Sequence, residues 1–278
     1  MQVDGLTKSF GDLVLFRKIS FGVAEGQRIG LIAKNGTGKT TLLNIIAGKE
    51  GYDEGSIVFR RDLRVGYLEQ DPHYPEDLTV LEACFYHGNS TVELIKEYES
   101  CMETEGNPGL EELLARMEHE KAWDYERKAK QILSQLKIRD FSQQIKHLSG
   151  GQLKRVALAN VLITEPDFLI LDEPTSQLDP IAASDFLQTL GRINRELGTT
   201  VLLTEHRLEE ALPLATHAAV MDGGRLLCTG APAEVGGLLR QEGHRMFLAM
   251  PSAMRIWASV QSDASCPVTV REGRAFLT

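Results

Sequence analysis

Cysteine is scarce and scattered, with Cys84, Cys101, Cys228 and Cys266 the only four in 278 residues and no C-x-x-C pair among them. That spacing excludes the common zinc and dithiol redox motifs and leaves reduced structural thiols. Long apolar runs are missing too. No stretch approaches the roughly 18 apolar residues of a membrane span, and the opening "MQVDGLTKSF" has neither the basic start nor the apolar segment of a secretory signal. The expectation is a cytoplasmic chain, any membrane contact of which runs through a partner. Positive charge is in deficit, 30 Lys and Arg against 39 Asp and Glu for a net charge of −9. Broad affinity for nucleic acid needs clustered cations, so that class of function is disfavoured. Internal repeats and low-complexity tracts are also absent. What remains, 42% hydrophobic and 25% charged residues, is an ordinary globular composition, in a length that suits one large domain or two small ones.

Residues 1 to 70 read as short strands, "LVLF", "QRIGLI" and "SIVF", separated by glycine-containing turns. From about Leu78 to Leu136 the pattern turns helical, with a break at "GNPG" (Gly106 to Gly109). After Leu148 helical periodicity alternates with "FLIL" and "VLL", apolar runs suited to buried parallel strands. The expected fold class is therefore α/β, with a helical block inserted between two halves of the core. The stretch after about Pro232 is less regular, and "PVTVREGRAFLT" reads as a strand-like segment with a glycine turn.

"AKNGTGKT", Ala33 to Thr40, fits the P-loop pattern except that Ala33 stands where glycine is expected. A strand-like segment precedes it, and Leu42, Ile45 and Ile46 share one face of the helix that follows until Gly48. Such a loop aims several backbone N–H groups of a helix start at one point, where polyphosphate satisfies them. Lys39 would reach the β- and γ-phosphates, and the Thr40 hydroxyl would ligate Mg²⁺. Ala33 is harmless if its φ is negative and mildly strained if positive.

Five further stretches carry candidate residues. In "PDFLILDEP" Asp172 and Glu173 come directly after an apolar run, at the carboxyl end of a buried strand, where α/β sheets bind ligands. Asp172 would hold Mg²⁺ and Glu173 would activate water against the γ-phosphate. "LSGGQ", Leu148 to Gln152, opens a helix that Ser149 can cap, with bare backbone at Gly150 and Gly151 for a second phosphate approach. "VLLTEHR" brings His206 to the exit of another buried strand. Gln70 in "GYLEQDP" ends the strand-rich block, and Phe10 in "KSFGD" is placed in the first turn.

In this order, "AKNGTGKTT", "YLEQ", "LSGGQ", "LILDEP", "SQLD" and "TEH" resemble the nucleotide-binding cassette of ABC proteins, a P-loop NTPase fold with an N-terminal antiparallel β subdomain and an inserted helical subdomain. The resemblance implies a cassette over residues 1–232, the helical subdomain at 72–147 and a tail or linker at 233–278. It implies an ATPase using ATP and Mg²⁺. Phe10 would stack on adenine; Ala33, Lys34, Asn35, Gly36, Thr37, Gly38, Lys39, Thr40 and Thr41 would bind phosphates; and Gln70 would sense the γ-phosphate and report to the helical block. Thr40, Gln70 and Asp172 form the implied metal set, with Glu173 and His206 catalytic. Ser149, Gly150, Gly151 and Gln152 would cover the ATP of a second cassette, and Asp179 would lie at the dimer seam.

Up to about Leu171 the chain resembles the first cassette of F-type ABC proteins, which act on ribosomes. After "LDEPT" it is similar to ATPase subunits of energy-coupling factor importers, as in "LLTEHRLEEALPLATHAAVMDGGRLLCTGAP". A hybrid joined within "LILDEPT" is one expectation, and a truncated tandem protein another. Three functions follow: an importer ATPase acting on a transmembrane subunit, a soluble factor acting on the ribosome, and a non-hydrolysing ATP sensor, least favoured because Glu173 and His206 are both present. Between Glu93 and Glu126 eleven acidic residues face three basic ones. A helical extension meant for ribosomal RNA should be basic, which favours the importer.

Overall fold

The computed structural model describes residues 1–86, 90–103, 109–120, 122–260 and 264–277. The chain opens with β1 (Gln2–Phe10), β2 (Leu13–Gly22), β3 (Arg28–Ala33), α1 (Lys39–Ile46), β4 (Glu54–Val58) and β5 (Val65–Leu68). Five helices follow, α2 (Val80–Phe85), α3 (Ser90–Glu103), α4 (Leu110–His119), α5 (Tyr125–Gln135) and α6 (Gly150–Leu162). The third stretch holds β6 (Phe168–Asp172), α7 (Pro180–Leu197), β7 (Thr200–Thr204), α8 (Leu208–Ala211), β8 (His217–Asp222) and β9 (Arg225–Gly230). It closes with α9 (Pro232–Gln241), α10 (Ser252–Ser259) and α11 (Val270–Leu277). Most of the expected Gly106–Gly109 break lies outside the described residues. No described helix is long and apolar enough to cross a membrane.

These elements form two compact units, residues 1–70 with 167–278 and residues 71–166. In the first unit, β2, β1 and β4 make a small antiparallel sheet. Phe10 is the last residue of β1, paired with Leu13, and not in the turn itself. The turn is Gly11–Asp12, where Gly11 takes φ 56 and relieves the aromatic residue of a conformation it adopts poorly.

The larger sheet has the order β5-β6-β7-β3-β8-β9, parallel except for the β8–β9 hairpin. All five residues of both β6 and β7 are buried, because helices and the small sheet leave no water-facing side on a parallel strand. Pairing of β6 with β7 runs unbroken from Phe168↔Thr200 to Asp172↔Thr204. Strands β6 and β7, drawn from either side of the Asp172–Thr175 stretch, thus pair as neighbours, and the core joins Phe168 and Ile170 to Leu202, Ala219 and Met221.

The stretch after Pro232 departs from expectation. Val235, Leu239, Met246, Met250, Met254 and Trp257 bury themselves with Ile32 and Val220 in one cluster, so this stretch is core of the first unit and not a linker. Its last segment is a helix and not strand-like. Glu272 Oε2 accepts from the Val268 and Thr269 amides at 2.8 and 3.0 Å, and the Glu272 amide donates to Thr269 Oγ1 at 3.1 Å. This capping box fixes α11 despite the β-branched residues before it.

The second unit is helical. Thr79 and Glu82 form a capping box at α2, and Leu94, Met117 and Ala122 make a small core. The unit extends past the expected 147, because buried Asn160 on α6 donates to the Ala83 and Cys84 carbonyls at 3.1 and 2.8 Å. The Cys84 carbonyl lies in the last turn of α2, and the Ala83 carbonyl, which already accepts from the Tyr86 amide at 3.2 Å, gains a second donor.

Candidate active site

Strand β3 delivers the chain into the loop, and Gly36 and Gly38 take φ 75 and 88 there. Glycine is required at position 38, since a Cβ would stand 3.1 Å from Leu15 and 3.2 Å from Phe16. Ala33 is not among the positive-φ residues, so its methyl costs nothing. Gly38 caps α1 with no side-chain hydrogen bond, which leaves first-turn N–H groups for an anion. Thr37 Oγ1 braces the loop on the Lys34 carbonyl at 2.7 Å. Lys39, only 6% exposed, lies across the loop and donates to the Ala33 carbonyl at 3.1 Å and to Asn35 Oδ1 at 3.3 Å. Thr40 is exposed and Thr41 half-buried on the same first turn.

Glu173 is where the separate motifs meet. Its Oε1 lies 3.5 Å from Lys39 Nζ and 2.7 Å from His206 Nε2, and its Oε2 accepts from Gln70 Nε2 at 3.1 Å. Exits of β5, β6 and β7 and the start of α1 thereby converge on one carboxylate. Glu173 itself has φ 43, a conformation that costs about 1–3 kcal/mol and concentrates at functional sites. Its amide donates to Thr204 Oγ1 at 3.0 Å.

Asp172, fully buried, accepts from the Thr204 hydroxyl at 2.7 Å through Oδ1, while Oδ2 has no hydrogen-bond partner among the described residues. A buried carboxylate oxygen left unpaired is costly, and the donor types, one carboxylate and the exposed hydroxyl of Thr40 in the first turn of α1, suit Mg²⁺, which binds few protein oxygens and takes the rest from phosphate and water. No group of three or more His, Cys, Asp or Glu suited to a metal occurs among the described residues. Negative charge is concentrated here: burial, then Asp172 and Glu69, push the Tyr67 phenol well above its ordinary pKa.

The other sequence-derived residues of the first unit stand outside this cluster. Phe10 presents a half-exposed ring with Lys8 Nζ 4.6 Å from its centre. Lys34 turns from the loop to pair with Asp222 at 3.2 Å. Asp179 caps α7, accepting from the Ile181 and Ala182 amides at 3.0 and 2.9 Å. In the second unit, Ser149 and Gln152 form the capping box of α6, with bonds of 2.9 and 3.3 Å, and Gly150 and Gly151 lie in its first turn. Thr204 escaped the sequence reading. Its signal was the "TEH" triplet, but its role follows from lying opposite Asp172 in the β6–β7 register.

A phosphate cradle and a water-activating carboxylate at the carboxyl edge of a largely parallel sheet are the organisation of a P-loop nucleoside triphosphatase. A family model described as ABC transporter matches residues 16–176, more than half of the 278, and the chain belongs to that family, in which ATP hydrolysis is general. Among curated proteins it is 39% identical over 216 residues to the uncharacterized ABC transporter ATP-binding protein YfmR of Bacillus subtilis, covering 74% of this chain and 34% of that protein. It is 30% identical over 239 residues to the zinc import ATP-binding protein ZnuC of Roseobacter denitrificans, covering 84% and 80%. Its fold superposes on cbiO1 of Clostridium perfringens, part of the ABC transporter complex cbiONQ, with TM-score 0.65 and 25% identity over 88% of this chain and 94% of that one. The chain spans 34–45% of the length of the first curated relatives it matches.

Proposed function

We propose that the chain binds and hydrolyses ATP as a cassette of an ABC transporter, of the energy-coupling factor importer type, at the cytoplasmic face of a membrane. The observation that carries this reading is Glu173 held in contact with Lys39, Gln70 and His206. In this reading, loop residues 33–41 hold the triphosphate by backbone N–H groups, and Lys39 exchanges its Ala33 and Asn35 acceptors for phosphate oxygens. Glu173 takes the proton of the attacking water, while His206 holds the carboxylate and presents its ring to the phosphate edge. Mg²⁺, held by Thr40 and Asp172 with Gln70 beside them, would neutralise charge on the transferring phosphoryl group. Phe10 stacks on the base.

A second cassette supplies its own counterpart of Ser149–Gln152 to the bound ATP, with Asp179 at the seam. Binding then holds the dimer together and hydrolysis releases it. The partner that uses this motion is a transmembrane subunit, a reading supported by the likeness to ZnuC and cbiO1 and by the acidic helical insert. The test is twofold. Purified protein with Mg²⁺ and ATP should show specific activity that rises with protein concentration, and a tagged chain from native cells should leave with a membrane complex. Hydrolysis strictly proportional to a stable monomer contradicts the shared site, and recovery with ribosomes transfers the chain to the soluble F-type reading.

A further inference from the structure

The segment leaving β7 grips the loop leaving β6 at three successive points. Thr204 Oγ1 accepts from the Glu173 amide at 3.0 Å, Glu205 Oε1 from the Thr175 amide at 2.9 Å, and Arg207 Nη2 donates to the Leu178 carbonyl at 2.5 Å. Glu205 has a second hand: its Oε2 accepts from the His206 amide at 3.1 Å. The carboxylate is only 7% exposed. A buried carboxylate persists where hydrogen bonds replace its water, and here both acceptors are spent on backbone, one on each side of the Glu173–His206 contact.

The loop so held needs holding. Glu173 and Gln177 both take positive φ, 43 and 65, and non-glycine residues stay in that region only when their surroundings over-determine them. One end of the loop is Glu173, in contact with His206, and the other is Leu178, followed by the capping residue Asp179. Only an acceptor at both oxygens can serve both amides; an amide side chain offers one acceptor and turns a donor toward the other N–H.

We infer that Glu205 is a positioning residue that locks the loop Glu173–Leu178 to the backbone of His206, with Arg207 as its distal grip, so that His206 and Asp179 shift together. The inference rests on the ATPase reading above and adds a device within one chain that passes the state of the phosphate site to the surface around Asp179. Glu205 need not touch substrate to do this.

The test is Glu205→Gln in the full chain, alone and combined with His206→Ala. Glu205→Gln should lower kcat about tenfold or more, with ATP affinity within about twofold of the parent. In the His206→Ala background the same substitution should change residual turnover by less than about twofold, since the element it positions is gone. Equal factors in both backgrounds would reduce Glu205 to general support and overturn the proposal. Amide hydrogen exchange gives a readout independent of activity: exchange at Thr175 and His206 should accelerate in Glu205→Gln, and unchanged exchange overturns the clamp. A parent that turns over no ATP refutes the ATPase reading while the exchange measurement still decides the clamp. Should Glu205→Gln fail to fold, Arg207→Met carries the same non-additivity test on the distal grip, and there too equal factors with and without His206 count against it.

Discussion

His206 Nε2 lies 2.7 Å from Glu173 Oε1, an oxygen that Lys39 Nζ also approaches at 3.5 Å. One carboxylate thus faces the cation of the phosphate loop and the ring at the end of a different strand. A base so placed is oriented before substrate arrives, and its loss should be felt in chemistry and not in binding. Glu173→Gln should retain ATP affinity while turnover falls by about 10²–10⁴. Single-turnover hydrolysis beside nucleotide binding measures both, and a variant as active as the parent would remove Glu173 from the role of base.

Thr204 binds both carboxylate positions, donating to Asp172 Oδ1 and accepting from the Glu173 amide. Thr204→Val keeps the shape and removes both bonds, leaving Asp172 with no bonded oxygen in a fully buried site. The cost should be about 1–3 kcal/mol of stability, read from urea unfolding with an unchanged slope. Weaker Mg²⁺ dependence of nucleotide binding should accompany it.

Trp257 tests whether residues after 232 are integral to the first unit. Its ring packs in the cluster with Ile32 and Val220, carries Arg240 at 4.3 Å and donates from Nε1 to the Ala264 carbonyl at 2.9 Å. Trp257→Ala should destabilise by about 3–5 kcal/mol, seen as a lowered thermal midpoint. A change within error would mean that this segment is an appendage.

Acid should act through the capping boxes. Backbone amides at Thr79 and Thr269 hold the Glu82 and Glu272 carboxyls below their ordinary value of 4.5, and the Arg64 amide holds Asp167 below 3.8. A folded-state pKa below the unfolded one contributes stability that is fully present above the unfolded value and lost as pH falls through the folded one. Stability should be level from neutrality to about pH 5 and decline below about pH 4. Glu82→Gln and Glu272→Gln should each reduce that acid-side slope, and a slope left unchanged by both would assign the decline to other groups.

Much of the site was legible because its chemistry is local. A strand, a glycine loop and a helix in succession carry their own geometry, so Gly36, Gly38 and Lys39 could be read directly, as could the cap at Ser149. Carboxylates and a histidine directly after apolar runs announce strand exits. What sequence left open was which strands lie side by side. Thr204 matters only because β7 pairs in register with β6, 32 residues away across the Thr204–Asp172 bond, and no local pattern carries a strand order of 5-6-7-3-8-9. The last helix shows the opposite case: the T-x-x-E signal at Thr269–Glu272 is local, and the capping box it forms prevails over the strand propensity of the neighbouring β-branched residues.

By itself, then, the sequence determined the kinds of groups available and their local poses: anion-ready helix starts, buried parallel strands, acids and a histidine at their ends. Only the tertiary structure decided that Lys39, Gln70, Glu173 and His206 share one point, and that residues after 232 close the core and do not trail from it. Short-range pattern fixes backbone direction within an element, whereas bringing distant exits together is settled by sheet order and by the burial of apolar faces, which are properties of the whole chain.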